Sequence, residues 1–124
     1  MTNAEKFSTI RFEENGGIAR IILDRPRVLN AIDPEMVLEL NTAMDRVAKD
    51  DAIKVVVVSG EGRAFSAGFD LKASAARGPL TIAQWRQVLQ DDLDLVLRFW
   101  DCAKPTIAAI HGYCIGGALE LALA

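Results

Sequence analysis

The sequence predicts an α/β protein with a parallel strand–helix–strand crossover, and three observations lead to that prediction. A short β-branched run, IKVVVVSG, ends in glycine and is typical of a strand buried on both faces. A long helical pattern follows, which Thr81 and Gln84 open as a capping box. A second buried strand, TIAAIHG, follows Lys104 and Pro105, where we expect the helix to end. The stretch 53–110 therefore predicts two neighbouring parallel strands.

Ahead of this crossover the sequence predicts a hairpin and a first helix. The segments STIRFEE and GIARIIL flank a turn, NGG at 15–17, which is a β-hairpin signal. Pro26 ends the second strand and lies in the loop LDRPRVLNAID. Asp33 and Pro34 are typical of an N-cap and the first helical residue. The core face of this helix is expected to carry Val37, Leu40, Met44, Val47 and Ala48.

The long helix and the last helix complete the predicted order. Gly116 and Gly117 lead into the last helix, GALELALA, which has no glycine, proline or basic residue to mark its end. We therefore expect residues 1–124 to be the N-terminal portion of a single larger domain. The apolar stripe of the long helix comprises Trp85, Val88, Leu89, Leu93, Val96, Leu97 and Trp100.

Composition excludes several classes of function. With 124 residues, of which 51% are hydrophobic and 25% charged, the chain can bury a core. Its net charge of −3 argues against a nucleic-acid partner, and no apolar run is long enough to span a membrane. The N-terminus lacks the apolar segment of a signal peptide. Two cysteines outside any CxxC pattern and one histidine argue against a disulfide or a metal site, so we expect a cytoplasmic protein without a metal.

Two glycine-bearing loops, 60–70 and 112–117, leave the carboxyl ends of the two parallel strands. Ligands of open α/β sheets bind at that side of the sheet. Glycine lets backbone N–H groups approach a ligand, and Gly117 begins a helix, where N–H groups lack internal partners. A second N–H from the turn 67–69 would complete an oxyanion hole. Such a pair stabilises a carbonyl that becomes an enolate or a tetrahedral oxyanion.

Glu120 lies three residues after Gly117, on the same face of the last helix. Its apolar neighbours are expected to bury it in part, which suits a general acid or base. A solvated glutamate that merely stabilises the start of the helix is the alternative. Together the two loops predict proton transfer beside an activated carbonyl.

A serine hydrolase is a further alternative. AFSAG resembles the nucleophile elbow G-x-S-x-G, with alanine in place of the first glycine. The serine lies several residues beyond the valine-rich strand, however, whereas an elbow places it directly on a strand-to-helix turn. Neither glycine pattern completes a dinucleotide fingerprint or a P-loop. The nominal Ser–acid–His set would be Ser66, Asp92 or Asp101, and His111.

Three motifs in order carry a resemblance to a known family. VVVVSGEGRAFSAGFDLK and KPTIAAIHGYCIGGALELALA resemble the enoyl-CoA hydratase/isomerase, or crotonase, family, and LDRPRVLNAID is similar to its early acyl-CoA-binding loop. The resemblance implies a crotonase-like ββα spiral whose C-terminal part is missing from these residues. It implies an acyl-CoA thioester ligand, with coenzyme A as part of the substrate rather than a cofactor. It also implies a homo-trimer or hexamer for the full-length protein.

The resemblance also assigns roles to residues. The N–H groups of Phe69 and Gly117 would form the oxyanion hole, and both residues would also bind the acyl-CoA. Glu120 matches the first of two glutamates that position and activate water in the hydratases, and the second would lie beyond Ala124. The family commonly has three glycines before this glutamate, and the third here is Ala118. The other acyl-CoA-binding residues would be Arg27, Val28, Leu29, Ala67, Gly68, Asp70, Leu71 and Lys72.

The implied function is an enoyl-CoA hydratase of fatty acid metabolism. Such a lyase adds water to a 2-enoyl-CoA through an enolate held in the oxyanion hole. An enoyl-CoA isomerase, or another crotonase-family reaction, stays open because the second glutamate lies outside these residues. A non-catalytic acyl-CoA-binding fragment also stays open, and binding without turnover would identify it.

Overall fold

The computed structural model describes residues 6–124 and has the predicted α/β class. The first five residues, part of the N-terminus in which no signal peptide is expected, lie outside the described residues. A short 3₁₀ turn spans Pro26–Val28. The strands are β1 (Ile10–Asn15), β2 (Ile18–Leu23), β3 (Val55–Gly60), β4 (Ala64–Ser66), β5 (Thr106–Ala108) and β6 (Tyr113–Cys114). The helices are α1 (Pro34–Lys49), α2 (Leu71–Ala76), α3 (Ile82–Trp100) and α4 (Gly117–Leu123).

The main sheet has the strand order β1-β2-β3-β5. β1 and β2 pair antiparallel, which confirms the predicted hairpin, and Gly16 and Gly17 both have positive φ angles in its turn. β3 runs parallel to β2 on one side and to β5 on the other. The predicted parallel crossover is therefore confirmed, and α1 provides a second one between β2 and β3.

Local sequence signals fix where the helices begin. The Asp33 carboxylate accepts a hydrogen bond from the Met36 N–H at 2.8 Å and caps α1. Thr81 and Gln84 form the predicted capping box at the start of α3. α3 ends at Trp100, several residues before the proline that was expected to end it.

The core lies between the main sheet and the inner faces of α1, α3 and α4. α1 buries Val37, Leu40, Met44 and Val47 as predicted, whereas Ala48 is exposed. The predicted stripe of α3 is wrong for its leucines and tryptophans, which are exposed, because α3 buries Leu95 and Phe99 instead. Val96 of that stripe does pack, partly buried, against the core. Burial of a helix face depends on what packs against it, and periodicity alone cannot tell which apolar face that is. The exposed apolar residues of α3 are Ile82, Trp85, Leu89, Leu93, Leu97 and Trp100.

A second sheet, which the sequence reasoning missed, joins the two glycine-bearing loops. β4 and β6 are short parallel strands, with Ser66 opposite Cys114. Their pairing brings segments 60–70 and 112–117 together beyond the carboxyl ends of β3 and β5. β5 was expected to be buried, but it is the last strand of the main sheet and Ile107 is 52% exposed.

Within residues 6–124, no helix is both long enough and apolar enough to cross a membrane.

Candidate active site

The two glycine-bearing loops contact each other where the sequence places the candidate oxyanion hole. A methyl group on Gly68 would lie 2.6 Å from the Ile115 carbonyl oxygen and 3.3 Å from the Gly117 nitrogen. A methyl group on Gly117 would overlap the Phe69 ring at Cδ2 and Cε2. Both positions therefore need glycine for the loops to approach this closely. The structure brings Phe69 and Gly117 together, as the oxyanion-hole prediction requires.

The hydrogen bonds of Ile32 set the direction of the Phe69 N–H. Ile32 donates its N–H to the Gly68 carbonyl oxygen at 2.8 Å and accepts from the Asp70 N–H at 2.9 Å. In a trans peptide the C=O and N–H point in opposite directions. The Phe69 N–H therefore points away from Ile32, and within residues 6–124 it donates to no acceptor.

A tight turn sets the direction of the Gly117 N–H. Gly116 has φ 59° and ψ −126°, the conformation of the first central residue of a type II′ turn, and the Ala118 N–H closes the turn to Ile115 O at 3.1 Å. The Gly116 carbonyl oxygen accepts from the N–H groups of Leu119 and Glu120 at 2.9 and 3.1 Å. It thus points into the first turn of α4. The Gly117 N–H points the opposite way, out of the helix, and has no acceptor in the described part of the chain.

This arrangement supplies two backbone donors on adjacent segments. The carbonyl oxygen in the same peptide group as each N–H accepts a backbone hydrogen bond, which fixes the orientation of that peptide group. Neither N–H therefore has to reorient in order to donate to a ligand. A carbonyl oxygen placed between two such donors gains stabilisation as negative charge develops on it. One donor of this kind contributes about 3 kcal/mol to lowering a barrier.

Glu120 lies in the first turn of α4 and is exposed. The prediction that the Glu120 side chain is partly buried is wrong in the described part of the chain. Helical spacing directs Ala118 and Leu121 into the core, while Leu119 lies exposed beside the glutamate. The side chain of Glu120 makes no ion pair with the residues that the structure describes. Its carboxylate is therefore accessible, three residues along the helix from Gly117.

The residues predicted to bind the acyl-CoA lie in two neighbouring segments. Arg27 and Val28 are exposed on the 3₁₀ turn, and a methyl group on Gly62 would lie 3.0 Å from Pro26 Cβ, so this turn lies against the loop after β3. The Ala67 N–H, directly after β4, donates to the Leu29 carbonyl oxygen at 2.9 Å, so the residue after the turn is also joined to segment 60–70.

The start of α2 carries the remaining residues of that set. Leu71 and Lys72 are exposed there. Asp70 differs, because its carboxylate accepts from the Ala73 N–H at 3.0 Å and from Arg25 Nη1 at 3.1 Å. The Ala73 N–H, and after it Arg25, hold the pKa of Asp70 below its usual value against the opposing effect of burial. The carboxylate is thus engaged inside the protein. The Asp70 backbone is engaged as well, because its N–H donates to the Ile32 carbonyl oxygen at 2.9 Å and its carbonyl oxygen accepts from the Ser74 N–H at 3.0 Å.

Arg25 organises this region and was missed by the sequence reasoning. Its guanidinium donates to the Ala31 carbonyl oxygen at 2.6 Å, contacts Asp70 at 3.1 Å and lies 3.5 Å from Asp33. It thereby links the N-caps of α1 and α2. From the sequence, an arginine in a polar loop is expected to be a solvated charge. Its two acidic partners, Asp33 and Asp70, come close to it only in the folded chain.

Asn30 is the second missed residue. It is fully buried and has a φ of 55°, a conformation that asparagine tolerates. Its Oδ1 accepts from the Arg25 N–H at 2.7 Å, and its Nδ2 donates to Glu61 O and Ala64 O, both at 2.9 Å. One side chain thus ties the LDRPRVLNAID segment to β4. In the sequence, Asn30 is visible only as an asparagine beside apolar residues, and that pattern does not identify its hydrogen-bond partners.

The serine-hydrolase alternative is wrong. Ser66 is fully buried, and its hydroxyl is hydrogen-bonded to the backbone, donating to Asn30 O at 2.7 Å and accepting from the Gly68 N–H at 3.1 Å. His111 is exposed, and its Nε2 lies 2.6 Å from the Gly62 carbonyl oxygen. Neither side chain is available for a nucleophile–base pair.

Known proteins match this chain over nearly its whole length. The family model for enoyl-CoA hydratase/isomerase matches residues 13–124. The chain is 36% identical to (E)-benzylidenesuccinyl-CoA hydratase of Thauera aromatica, over 93% of this chain and 44% of that protein. It is 33% identical to the mitochondrial delta(3,5)-delta(2,4)-dienoyl-CoA isomerase of Dictyostelium discoideum, over 93% of this chain and 43% of that protein.

Comparison with solved structures gives the same family. The crystal structure of an enoyl-CoA hydratase/isomerase from Xanthobacter autotrophicus Py2 superimposes with a TM-score of 0.91 at 50% identity, over 94% of this chain and 43% of that chain. The predicted crotonase-like fold is therefore confirmed. The chain spans less than half the length of these relatives. Sequence, fold and motif order agree, and the chain belongs to the enoyl-CoA hydratase/isomerase family.

Proposed function

We propose that this protein binds an acyl-CoA thioester and holds its carbonyl oxygen between the N–H groups of Phe69 and Gly117. The observation that carries the proposal is the meeting of two backbone donors that have no acceptor among residues 6–124. A thioester carbonyl suits them because its oxygen takes up negative charge when an enolate forms. The relatives named above carry the names of enzymes that act on CoA thioesters.

The reaction that we propose is hydration of a 2-enoyl-CoA. Water gives up one proton to a base as its oxygen bonds to C3, and the electron pair of the C2–C3 double bond moves onto the thioester oxygen between Phe69 and Gly117 to form an enolate. A proton is then delivered to C2, and the electron pair returns from the oxygen to make the C2–H bond. Glu120 is the acid–base residue, since it lies on the helix that carries Gly117 and water can reach it. The family resemblance implies a second glutamate, beyond Ala124, that shares this work.

Two exposed surfaces support the rest of the ligand in this proposal. Arg27 and Val28 are exposed on the turn beside the loop after β3, with the half-buried Leu29 directly after it, and Arg27 can meet the phosphates of the nucleotide end. Lys72 adds a second exposed cation at the start of α2, next to Leu71. In this proposal Ala67 and Gly68, which directly precede Phe69, contact the ligand near its thioester through their backbone atoms.

Isomerisation is the second candidate reaction, and the similarity to a dienoyl-CoA isomerase favours it. The same two donors would hold an enolate while Glu120 moves a proton between carbon atoms. Mass spectrometry of the product separates the two reactions, because hydration adds one water and isomerisation leaves the mass unchanged. Binding of the acyl-CoA with no product at all would identify a non-catalytic protein.

The role of Glu120 is tested by Glu120→Gln in the full-length protein. We expect hydration of crotonyl-CoA to fall about a hundredfold or more, because loss of a general acid or base has that effect. Affinity for a saturated acyl-CoA should hardly change. Glu35→Gln is the matched control, since Glu35 is also an exposed acid in the first turn of a helix. Normal hydration by the Glu120→Gln variant would exclude this role.

Assembly into a homo-trimer or hexamer and a cytoplasmic location stay predictions. The exposed apolar residues of α3 support assembly. Sedimentation velocity of the full-length protein would give its oligomeric state, and a monomer would contradict the prediction.

A further inference from the structure

Ser66 carries a buried hydroxyl that the proposed reaction does not use. It is the last residue of β4 and is fully buried. The hydroxyl donates to the Asn30 carbonyl oxygen and accepts from the Gly68 N–H. The side chain of Asn30 is itself hydrogen-bonded to four backbone groups, so the acceptor of the Ser66 hydroxyl is fixed in place.

Gly68 is the residue that this hydroxyl holds. It is buried and has a φ of 92°, and a side chain at this position would meet the Ile115 carbonyl oxygen. Glycine is the most flexible residue, and it has no side chain with which packing could fix its backbone. Two hydrogen bonds fix the Gly68 backbone instead. The Gly68 N–H donates to Ser66 Oγ, and the Gly68 carbonyl oxygen accepts from the Ile32 N–H.

These two bonds determine the orientation of the next peptide group. The Gly68 carbonyl oxygen and the Phe69 N–H belong to one planar unit, so fixing Gly68 on both sides also fixes where the Phe69 N–H points. We propose that Ser66 is a positioning residue, whose hydroxyl holds the Phe69 N–H in line with the thioester carbonyl of the bound acyl-CoA. This inference rests on the proposed function, because it assumes that Phe69 donates to that carbonyl.

Ser66→Ala removes the hydroxyl and leaves the Gly68 N–H buried without its acceptor. The turn then relaxes, and the Phe69 N–H moves off the carbonyl. A small displacement of a group that acts in the transition state lowers kcat by about tenfold to a hundredfold. KM should change little, because the CoA portion of the ligand is bound by other residues. Ser66→Cys keeps a weaker donor and acceptor of similar shape and should fall between Ser66→Ala and the unaltered protein.

The experiment combines kinetics with a direct measurement on the carbonyl. The full-length protein is titrated with butanoyl-CoA labelled with ¹³C at the thioester carbon, which binds but cannot be hydrated, and the ¹³C chemical shift of the bound carbonyl is recorded by NMR. Hydrogen bonding to the carbonyl oxygen moves this shift. Thr9→Val is the matched control, since Thr9 also has a buried hydroxyl, which donates to Glu39 outside the site.

We expect the unaltered protein and Thr9→Val to move the carbonyl shift equally, and Ser66→Ala to return it toward the value of the free thioester. If Ser66→Ala keeps the full shift and the full kcat, the positioning role is wrong and the proposed function stands. If Thr9→Val reduces the carbonyl shift and kcat as much as Ser66→Ala does, a general loss of stability explains the effect, and the positioning role of Ser66 is again wrong. If the unaltered protein itself produces no shift, the proposed function fails and this inference fails with it. Should Ser66→Ala not fold, Ser66→Cys decides by the same criteria.

Discussion

Gly117 lies against the ring of Phe69, and any side chain at position 117 would overlap that ring unless the ring moved. We expect Gly117→Ala to displace the ring and to lower the free energy of unfolding by about 1–3 kcal/mol, as overpacking of a close contact does. Most of this cost should disappear in a Phe69→Ala background, because the two residues are directly coupled. Urea denaturation of the two single variants and the double variant measures the coupling, and strictly additive costs would contradict the contact.

The Asp70 carboxylate gives the turn at Phe69 a pH dependence. Its folded pKa is lowered, first by the Ala73 N–H, so its stabilisation is present above the unfolded pKa of about 3.9 and is lost as the pH falls through the folded value. We expect Asp70→Asn to be less stable than the unaltered protein by about 1 kcal/mol near pH 7, because the hydrogen bonds from Ala73 and Arg25 to a charged carboxylate are stronger than those to a neutral amide. The difference should shrink as the pH falls below about 4, because Asp70 of the unfolded chain is protonated there before Asp70 of the folded protein.

Urea denaturation of both proteins between pH 3 and pH 7, values chosen to bracket that range, would measure the change. Asp91→Asn, at an exposed position of α3, is the control. A difference that grows toward low pH would show that Asp70 is not stabilised in its charged form.

Part of the candidate site could be predicted from single residues and part could not. Gly117, Glu120 and the turn 67–69 could be singled out because glycine-bearing loops after two parallel strands converge whatever their side chains are, and the family resemblance then assigned the second donor to Phe69. Arg25 and Asn30 act through partners far away in sequence, which a polar loop does not reveal. The exposure of Glu120 was also missed, since apolar neighbours in sequence are not neighbours in space on a helix.

Elements with strong local signals were predicted correctly. The hairpin turn, the Asp33 cap, and the Thr81 and Gln84 box each depend on residues within a few positions of one another. β4 and β6 have three and two residues and exist only because they pair with each other across the chain. No periodicity exists over such lengths, so the pairing that joins the two loops was not predictable.

Gly112 makes the pairing of β4 with β6 testable. Its φ is +61°, the same as that of Gly16 in the hairpin turn, but a methyl group on Gly112 would overlap the Arg63 carbonyl oxygen while one on Gly16 meets nothing. We expect Gly16→Ala to cost about 1–2 kcal/mol of stability from backbone strain alone. Gly112→Ala should cost more and should also weaken acyl-CoA binding, because the two strands must separate. Calorimetric binding and urea denaturation measure both effects, and equal costs for the two variants would contradict the close approach.

Across the whole molecule, the apolar side chains that remain exposed are concentrated on α3 and near α4, with Trp100 at 68% exposure. We expect these 124 residues, expressed alone, to associate as the concentration rises. Leu89→Gln combined with Leu93→Gln should reduce association without lowering the free energy of unfolding, since both leucines are exposed. Leu38→Gln, at an exposed leucine of α1, is the control. Sedimentation velocity provides the measurement, and association unaffected by the α3 changes would place the contact elsewhere.

The donor at position 69 is part of the main chain, and this has an evolutionary consequence. Every amino acid except proline carries the same N–H, so the side chain there can be replaced during divergence without loss of the proposed donor to the carbonyl. Proton-transferring side chains can change around such a donor while the thioester stays activated. Relatives of this chain carry the names of a hydratase, an isomerase and a dehydratase. A carbonyl site made from backbone allows one ancestral framework to acquire different reactions on the same kind of thioester.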